Sequence, residues 1–437
     1  MGEWLGRQVE IEVTKIAHGG VVVGRHEGRV IFVADAIPGE TVRAVITDDS
    51  KNSFWRADTV AVLAASPHRR PHVWSAAALE RAPEDRAGGA EFGHITLTQQ
   101  RELKRQVLAE ALSRMAGVET DAVVEAARPA AHTTGISAAA SAATPADSAS
   151  DTNADSAADG TGWRTRVRLH VADDGTVGPY AARSHRVIPV ADLPLATTEV
   201  ARIAPLTERF PGAQFVDVVA PSTGNPHVLI ETGKRARRTA ITEQVGQRSF
   251  RLDVRGFWQV HRDAAATLTA AVQEAIDPAL FDPRAENLDL YGGVGLLAAA
   301  MADRAGGAVR ITTVESDQTA SDHAAHNLAQ WSAVAVADRV DRYLRRITAS
   351  ADAEQKAALN AATVLLDPPR SGAGKAVVAE LAALGPAQLV YVACDAVALA
   401  RDVGLLRAHG YELTRLRAFD LFPNTHHVEA VATLVRA

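Results

Sequence analysis

The chain has 437 residues, 47% of them hydrophobic, and its 46 lysines and arginines fall short of 52 aspartates and glutamates, for a formal charge of −6. That length exceeds one ordinary hydrophobic core and predicts two or three domains. No apolar run reaches the ~18–20 residues that span a bilayer, and a lone cysteine excludes an internal disulfide or a cysteine-rich metal cage.

Met1-Gly2-Glu3-Trp4 lacks a charged-then-apolar signal pattern, so the chain is expected in the cytoplasm. Residues 1–65 read as short strands at 8–13, 20–24, 30–34, 41–46 and 57–63, punctuated by Gly19-Gly20, Gly28 and Pro38-Gly39. Val9, Ile11 and Val13 alternate as in a half-buried strand. Such a run of short strands suggests a small OB-like barrel, a common binder of single-stranded nucleic acid. Residues 95–126 read as helical, with Leu103, Val107, Leu108, Leu112 and Met115 at roughly helical spacing.

From 131 to 160 the chain is almost entirely Ala, Ser, Thr, Asp and Gly. Such a stretch buries too little apolar surface to offset its ordering entropy and reads as a flexible insertion. It holds Asp147, Asp151, Asp155 and Asp159, so the folded part is less acidic than the total. Strand signals resume at 163–171, where Arg164, Arg166, Arg168 and His170 alternate. Arg183, His185 and Arg186 follow, and Lys234-Arg235-Ala236-Arg237-Arg238 forms a third basic cluster. These are either solvated strand faces or a nucleic-acid surface.

After Gly256 the texture changes. A helix at 263–276 precedes short apolar strands at 287–290, 310–314, 363–366 and 389–393, mostly with helices between them. That rhythm predicts an α/β fold with a doubly wound, Rossmann-like parallel sheet. Strands at 413–419 and 428–435 read as a terminal antiparallel hairpin.

Ligands of such sheets sit at the carboxyl ends of the strands. The first strand ends Asp289-Leu290-Tyr291-Gly292-Gly293-Val294-Gly295, and the second ends in Glu315, twenty residues past Gly295. An acid there can accept hydrogen bonds from two ribose hydroxyls. NAD enzymes share this layout, and Ala298 at the place of their third glycine is tolerated, so the turn alone does not exclude NAD; its place in the chain's third quarter, with chemistry downstream that hydride transfer does not need, argues against it. Downstream, Asp367 stands at a strand end stiffened by Pro368-Pro369. Cys394 ends the next strand, and Glu429 begins the last one. His426-His427 has no second cluster at metal-ligand spacing. A thiolate adding to C6 of uracil would make C5 carbanion-like, and a base such as Glu429 would then remove the C5 proton. This chemistry needs a flipped or single-stranded uridine.

In order, Phe257-Trp258-Gln259-Val260, Asp289 to Gly295, Val314-Glu315, Asp367-Pro368-Pro369-Arg370, Tyr391-Val392-Ala393-Cys394 and His426-His427-Val428-Glu429 resemble the class I RNA (uracil-5-)methyltransferases. Ala17-His18-Gly19-Gly20 and Ile37-Pro38-Gly39-Glu40 resemble their N-terminal TRAM domain. The resemblance implies S-adenosylmethionine held by Gln259, Tyr291, Glu315 and Asp367, Cys394 as nucleophile, Glu429 as proton acceptor, and a tRNA or 23S rRNA substrate yielding 5-methyluridine. It implies a TRAM domain at 1–66, a central RNA-binding α+β domain at 67–255, a methyltransferase domain at 256–437, a monomer and no membrane partner.

The chain also departs from the family. Many members hold an iron–sulfur cluster on four cysteines, whereas 86–94 here carries alanines and no such cluster can form. Asp395-Ala396 replaces the usual Asn-Pro after the nucleophile, and a carboxylate there is expected to raise the thiol pKa. That departure keeps open a non-catalytic RNA-binding or assembly protein. Gly292 stands where the family usually has Cys, and Leu296 where some members have Asn, so that contact to the cofactor is expected to be missing. An amino-group RNA methyltransferase would need no thiol, and the cytosine-5 enzymes use two cysteines.

Overall fold

The protein is described here by a computed structural model covering residues 4–128, 159–233 and 238–437. Residues 131–158 of the expected insertion and 234–237 of the third basic cluster lie outside the described residues. Strands β1 (Gln8–Ile16), β2 (Val22–His26), β3 (Arg29–Ala34), β4 (Thr41–Asp48) and β5 (Phe54–Ala64) close into a barrel in the order β1-β2-β3-β5-β4. Val9, Ile11 and Val13 turn inward while Glu10 and Glu12 face solvent, the alternation a closed sheet requires. Phe92, Ile95 and Leu103, from the segment that follows, pack on the same core.

Helix α1 (Leu97–Ala116) is shorter than the 95–126 stretch expected to be helical. Gly117 adopts φ 62° and donates its N–H back to the last turn, which closes the helix. The chain then forms β6 (Val124–Ala126). A four-stranded sheet follows, ordered β10-β9-β7-β8, from β7 (Arg166–Val171), β8 (Val177–Gly178), β9 (Phe215–Val219) and β10 (His227–Glu231), with the short helix α2 (Thr198–Ile203) between β8 and β9. The hairpin β11 (Ala240–Val245) and β12 (Arg248–Asp253) leads to α3 (Ala264–Ala275).

The remainder alternates β13 (Asn287–Leu290), α4 (Leu296–Ala305), β14 (Ile311–Glu315), α5 (Gln318–Asn327), β15 (Val334–Ala337), α6 (Val340–Ser350), α7 (Ala353–Asn360), β16 (Thr363–Leu366), α8 (Gly374–Leu384), β17 (Gln388–Ala393) and α9 (Ala396–Ala408). Two long strands, β18 (Tyr411–Asp420) and β19 (Glu429–Arg436), end the chain. They build one sheet ordered β15-β14-β13-β16-β17-β19-β18-β6. Neighbours from β15 through β17 run parallel, whereas β19 runs antiparallel to both β17 and β18. The order reverses between β13 and β16, the topological switch point of a doubly wound sheet. β15 escaped the sequence reading because Val-Ala-Val-Ala is short and Val334 is exposed.

β6 pairs parallel with β18 and covers the sheet's edge. Leu108, Leu112 and Val124 share one hydrophobic core with Leu399, Val403 and Leu406 of α9. Beside that core, Lys104 Nζ lies 2.5 Å from Asp420 Oδ1, both side chains fully buried, and also donates to the Phe422 carbonyl at 3.0 Å. The pair locks α1 to the end of β18. Asn424 is a second tie. Its Oδ1 accepts from Arg70 and Gln100, its N–H donates to Gln100 Oε1, and its Nδ2 donates to the carbonyls of Asp159 and Gly160. The β18–β19 connection is thereby fastened to segments distant in sequence.

Removing one member of a buried ion pair strands the other charge. Lys104→Met should therefore lower the unfolding free energy by about 3–5 kcal/mol, measured by urea denaturation. An unchanged midpoint would show that the pair does not tie the helix down.

Candidate active site

One cleft of about 1130 Å³ opens at the carboxyl edge of the parallel strands. Gln259, Tyr291, Glu315, Asp367, Cys394 and Glu429, all singled out in the sequence, line it together. Topology explains the convergence. Tyr291, Glu315, Asp367 and Cys394 stand at or just past the carboxyl ends of β13, β14, β16 and β17. Because β19 is antiparallel, its first residue, Glu429, comes to the same edge.

The turn after β13 is shaped by its neighbours. Tyr291 holds φ 62°, a left-handed conformation unusual for an aromatic residue. At Gly292 a Cβ would run into Thr313 Oγ1 and approach Asp289 Oδ2 at 2.7 Å, so only glycine fits. In this chain the exchange of Cys for glycine is therefore coupled to Thr313. Glu315 Oε2 accepts the Gly293 N–H at 3.1 Å, and its Oε1 accepts the Asp317 N–H at 2.8 Å. The carboxylate is thus oriented by backbone, with lone pairs left for a ligand. Buried Trp258 anchors the segment bearing Gln259 by packing against Phe250, and the Val260 carbonyl accepts the Thr165 N–H at 2.8 Å. Beneath the turn, Asp289 is fully buried. Thr313 donates to its Oδ2 at 3.2 Å, Oδ1 has no partner, and burial pushes its carboxyl up to about 7. Burial likewise pushes Asp367 up to about 7.

The other half of the cleft is organised by the β17–β19 ladder. The ladder's last pair is Ala393 with Ala430, and Cys394 and Glu429 are the residues that adjoin that pair on the two strands. Both line the cleft, close enough for the Glu429 charge to act on the thiol. Burial, then the charges of Glu429 and Asp367, push the Cys394 thiol up to about 12, and Arg370 pulls the other way. Glu429 itself is buried and raised well above the usual carboxyl range by burial and Asp367, again opposed by Arg370. This end of the cleft therefore sets acids of raised proton affinity beside the Arg370 guanidinium.

Asp395 does not load charge onto the thiol as expected. Its carboxylate turns away to cap α9, with Oδ1 accepting the N–H groups of Val397 and Ala398 at 3.0 and 2.8 Å. Its Oδ2 sits 2.9 Å from His18 Nε2. Burial would raise it, but the bonds from His18 and the helix N-terminus outweigh that and hold it at about 2. The thiol's rise comes from burial, Glu429 and Asp367 instead.

Several lining residues carried no role in the sequence reading: Arg370, Arg164, Glu91, His427 and Phe422. Arg370 was visible as the last letter of the Asp-Pro-Pro-Arg block. His427 stood in the block that ends in Glu429 and Arg164 in the basic stripe, whereas Glu91 and Phe422 come from segments that only the fold brings to the cleft. Burial, then His426 and Arg370, push His427 down to about 3, so it remains neutral at ordinary pH. The alternating arginines prove partly structural: Arg166 donates to the Gly256 carbonyl at 2.7 Å, and Arg168 grips Asp217 with two bonds. Arg183 and Arg186 pair with Asp58 and Asp85. Arg238 lines the cleft. Among the described residues no group of acids, histidines and cysteine could hold a metal ion, and no helix is long and apolar enough to cross a membrane.

The family profile described as tRNA (Uracil-5-)-methyltransferase matches residues 275–437, and that of the TRAM domain matches residues 4–54. A Streptomyces avermitilis protein described as an uncharacterized RNA methyltransferase is 35% identical over 98% of this chain and 98% of its own length. The 23S rRNA (uracil(1939)-C(5))-methyltransferase of Alkalilimnicola ehrlichii is 30% identical over 98% of this chain and 96% of that protein. The solved structure of the Pyrococcus abyssi tRNA (uracil-54, C5)-methyltransferase, in complex with S-adenosyl-L-homocysteine, shares the fold. It has a TM-score of 0.64 at 18% identity and covers 98% of this chain and 100% of that one.

Asp289 gives the site a pH signature. The unfolded chain releases this proton near pH 3.8, whereas the folded chain keeps it until about pH 7. The stability it contributes is therefore complete below pH 3.8 and is lost as pH rises to 7. Asp289→Asn, neutral throughout, should flatten the fall of unfolding free energy across that window in urea titrations at several pH values. An equally steep fall in the variant would refute the assignment.

Proposed function

The chain belongs to the RNA (uracil-5-)methyltransferase family, and on that premise we propose that it methylates C5 of a specific uridine in tRNA or 23S rRNA, with Cys394 as nucleophile and Glu429 as base. One observation carries the reading: a thiol and a buried carboxyl, each adjoining the last pair of the β17–β19 ladder, line the cleft that also holds Tyr291, Glu315 and Asp367, with the carboxyl's charge acting on the thiol.

S-adenosylmethionine suits the other end of this cleft. Glu315 offers acceptors for ribose hydroxyls, and Tyr291 and Gln259 line the walls. Asp367 and Glu429, both raised by burial, favour a cation nearby. The bound donor supplies the methyl group and a positive charge.

The residues of the chain then have distinct tasks. The Cys394 sulfur, once deprotonated, adds to C6 of a uracil splayed out of its strand. The C5=C6 electron pair moves into an enolate, so C5 becomes the atom that takes the methyl group, while the electron pair of the broken methyl–sulfur bond stays on the departing thioether. Arg370, the cation opposing Glu429 and Asp367 at the thiol, favours the thiolate. Glu429 as carboxylate next removes the C5 proton, and the pair left behind restores C5=C6 and expels the Cys394 sulfur. A carboxylate of raised pKa is the stronger base for that step.

Cys394→Ala should abolish methyl transfer, a fall of roughly 10³-fold or more in kcat, while binding of S-adenosylhomocysteine persists in calorimetry. Retained activity would favour an amino-group enzyme instead. Glu429→Gln should still add and methylate but should stall at elimination, leaving a protein–RNA adduct visible in denaturing gels. Wild-type chain should be trapped likewise on 5-fluorouridine RNA with the methyl donor, since fluorine cannot leave as the proton does. Mapping 5-methyluridine in tRNA and rRNA of a deletion strain against its parent should show loss at one or a few uridines; an unchanged map would sink the proposal.

A further inference from the structure

The barrel reaches the catalytic strands through one loop, 17–20, between β1 and β2. His18 Nε2 lies 2.9 Å from Asp395 Oδ2, and Asp395 immediately follows Cys394. Two residues on, Gly20 at φ +77° leaves no room for a side chain: a Cβ would come within 2.7 Å of His426 Cβ and 3.2 Å of Phe92 Cε1. His426 belongs to the segment that leads into Glu429. The same loop thus braces the turn after the nucleophile and the approach to the base. The junction borders a small, partly open gap of about 20 Å³ lined by His18, Gly20, Cys394, Asp395 and His426, room for about one water molecule.

We propose that His18 is a positioning residue which, through Asp395, fixes the Cys394 turn for attack, so that the barrel is a working part of the catalytic unit as well as an RNA module. The inference rests on the reading of Cys394 as nucleophile. Asp395 makes the connection rigid because its two oxygens point to different elements, Oδ1 to the first turn of α9 and Oδ2 to the barrel. A carboxylate at a helix N-terminus is well placed, and its free oxygen holds the His18 imidazole and raises that ring's proton affinity. The contact adds little to global stability, since the His18 side chain is 51% exposed and exposed ion pairs contribute little. Its value is geometric: small displacements of a nucleophile from its attack geometry cost large factors in rate. The pair also gives Asp395, unusual for the family, its own partner in this chain.

The test is the single-turnover rate of covalent trapping on 5-fluorouridine-substituted ribosomal and transfer RNA at saturating RNA, with the methyl donor. His18→Ala should slow trapping roughly tenfold or more, with RNA affinity, S-adenosylhomocysteine affinity and melting temperature nearly unchanged. Asp395→Ala should slow it similarly, and the double variant should be no slower than Asp395→Ala alone, because both act on one path. Asp395→Asn, which keeps an acceptor for the helix and a polar group toward His18, should retain more rate than Asp395→Ala. A variant that loses only RNA affinity, an unaltered rate, or losses that multiply independently would overturn the proposal. A wild-type chain that forms no adduct would overturn the Cys394 reading beneath it as well.

Discussion

The site depends on the direction of a single strand. β19 enters the sheet beside β17 antiparallel, and that register, ending at Ala393 with Ala430, brings Glu429 to the edge where Cys394 stands. Strand side chains alternate between faces, so a slip of one residue would carry Glu429 to the opposite side and leave the thiol facing an apolar neighbour. Several features hold the register. Strand β19 pairs on both flanks, Asn424 ties the preceding connection to remote backbone, and the Lys104–Asp420 pair fixes the end of β18. The network lies outside the cleft, and Lys104, Gln100 and Asn424 find their partners among distant segments.

Electrostatics reinforces this geometry. Three carboxyls and a thiol share a buried region with Arg370 as the opposing charge, and burial raises all of their proton affinities. A site arranged in this way resists becoming negatively charged when empty and rewards a positively charged occupant. Binding and activation are then parts of one electrostatic event, because a cation near Asp367 shifts the thiol and the carboxyls in the same direction.

Much of this could be read from the sequence because strand ends in a doubly wound sheet announce themselves. Short apolar runs ending in Tyr291, Glu315, Asp367 and Cys394 give both the strand and the ligand face. Alternation at Val9, Ile11 and Val13 exposed the barrel in the same way. What escaped were features made by distance. The three-residue β6 has no periodicity to detect, and its position depends on an edge some three hundred residues away in sequence. The arginines of β7 looked like a free basic stripe because Asp217 and the Gly256 carbonyl meet them only after folding. Asp395 was the clearest misreading: adjacency in sequence suggested repulsion of the thiol, whereas the backbone turns its carboxylate toward α9 and His18.

The high proton affinity of Cys394 has a consequence for the resting protein. Held up at about 12, the thiol stays largely protonated at neutral pH. Peroxides and electrophiles react with the thiolate, and susceptibility to oxidation follows thiolate character. The buried, acidic surroundings that disfavour ionisation of the chain's single sulfhydryl therefore also work against its oxidation. Durability in the idle state and dependence on a positively charged partner are two expressions of one local field.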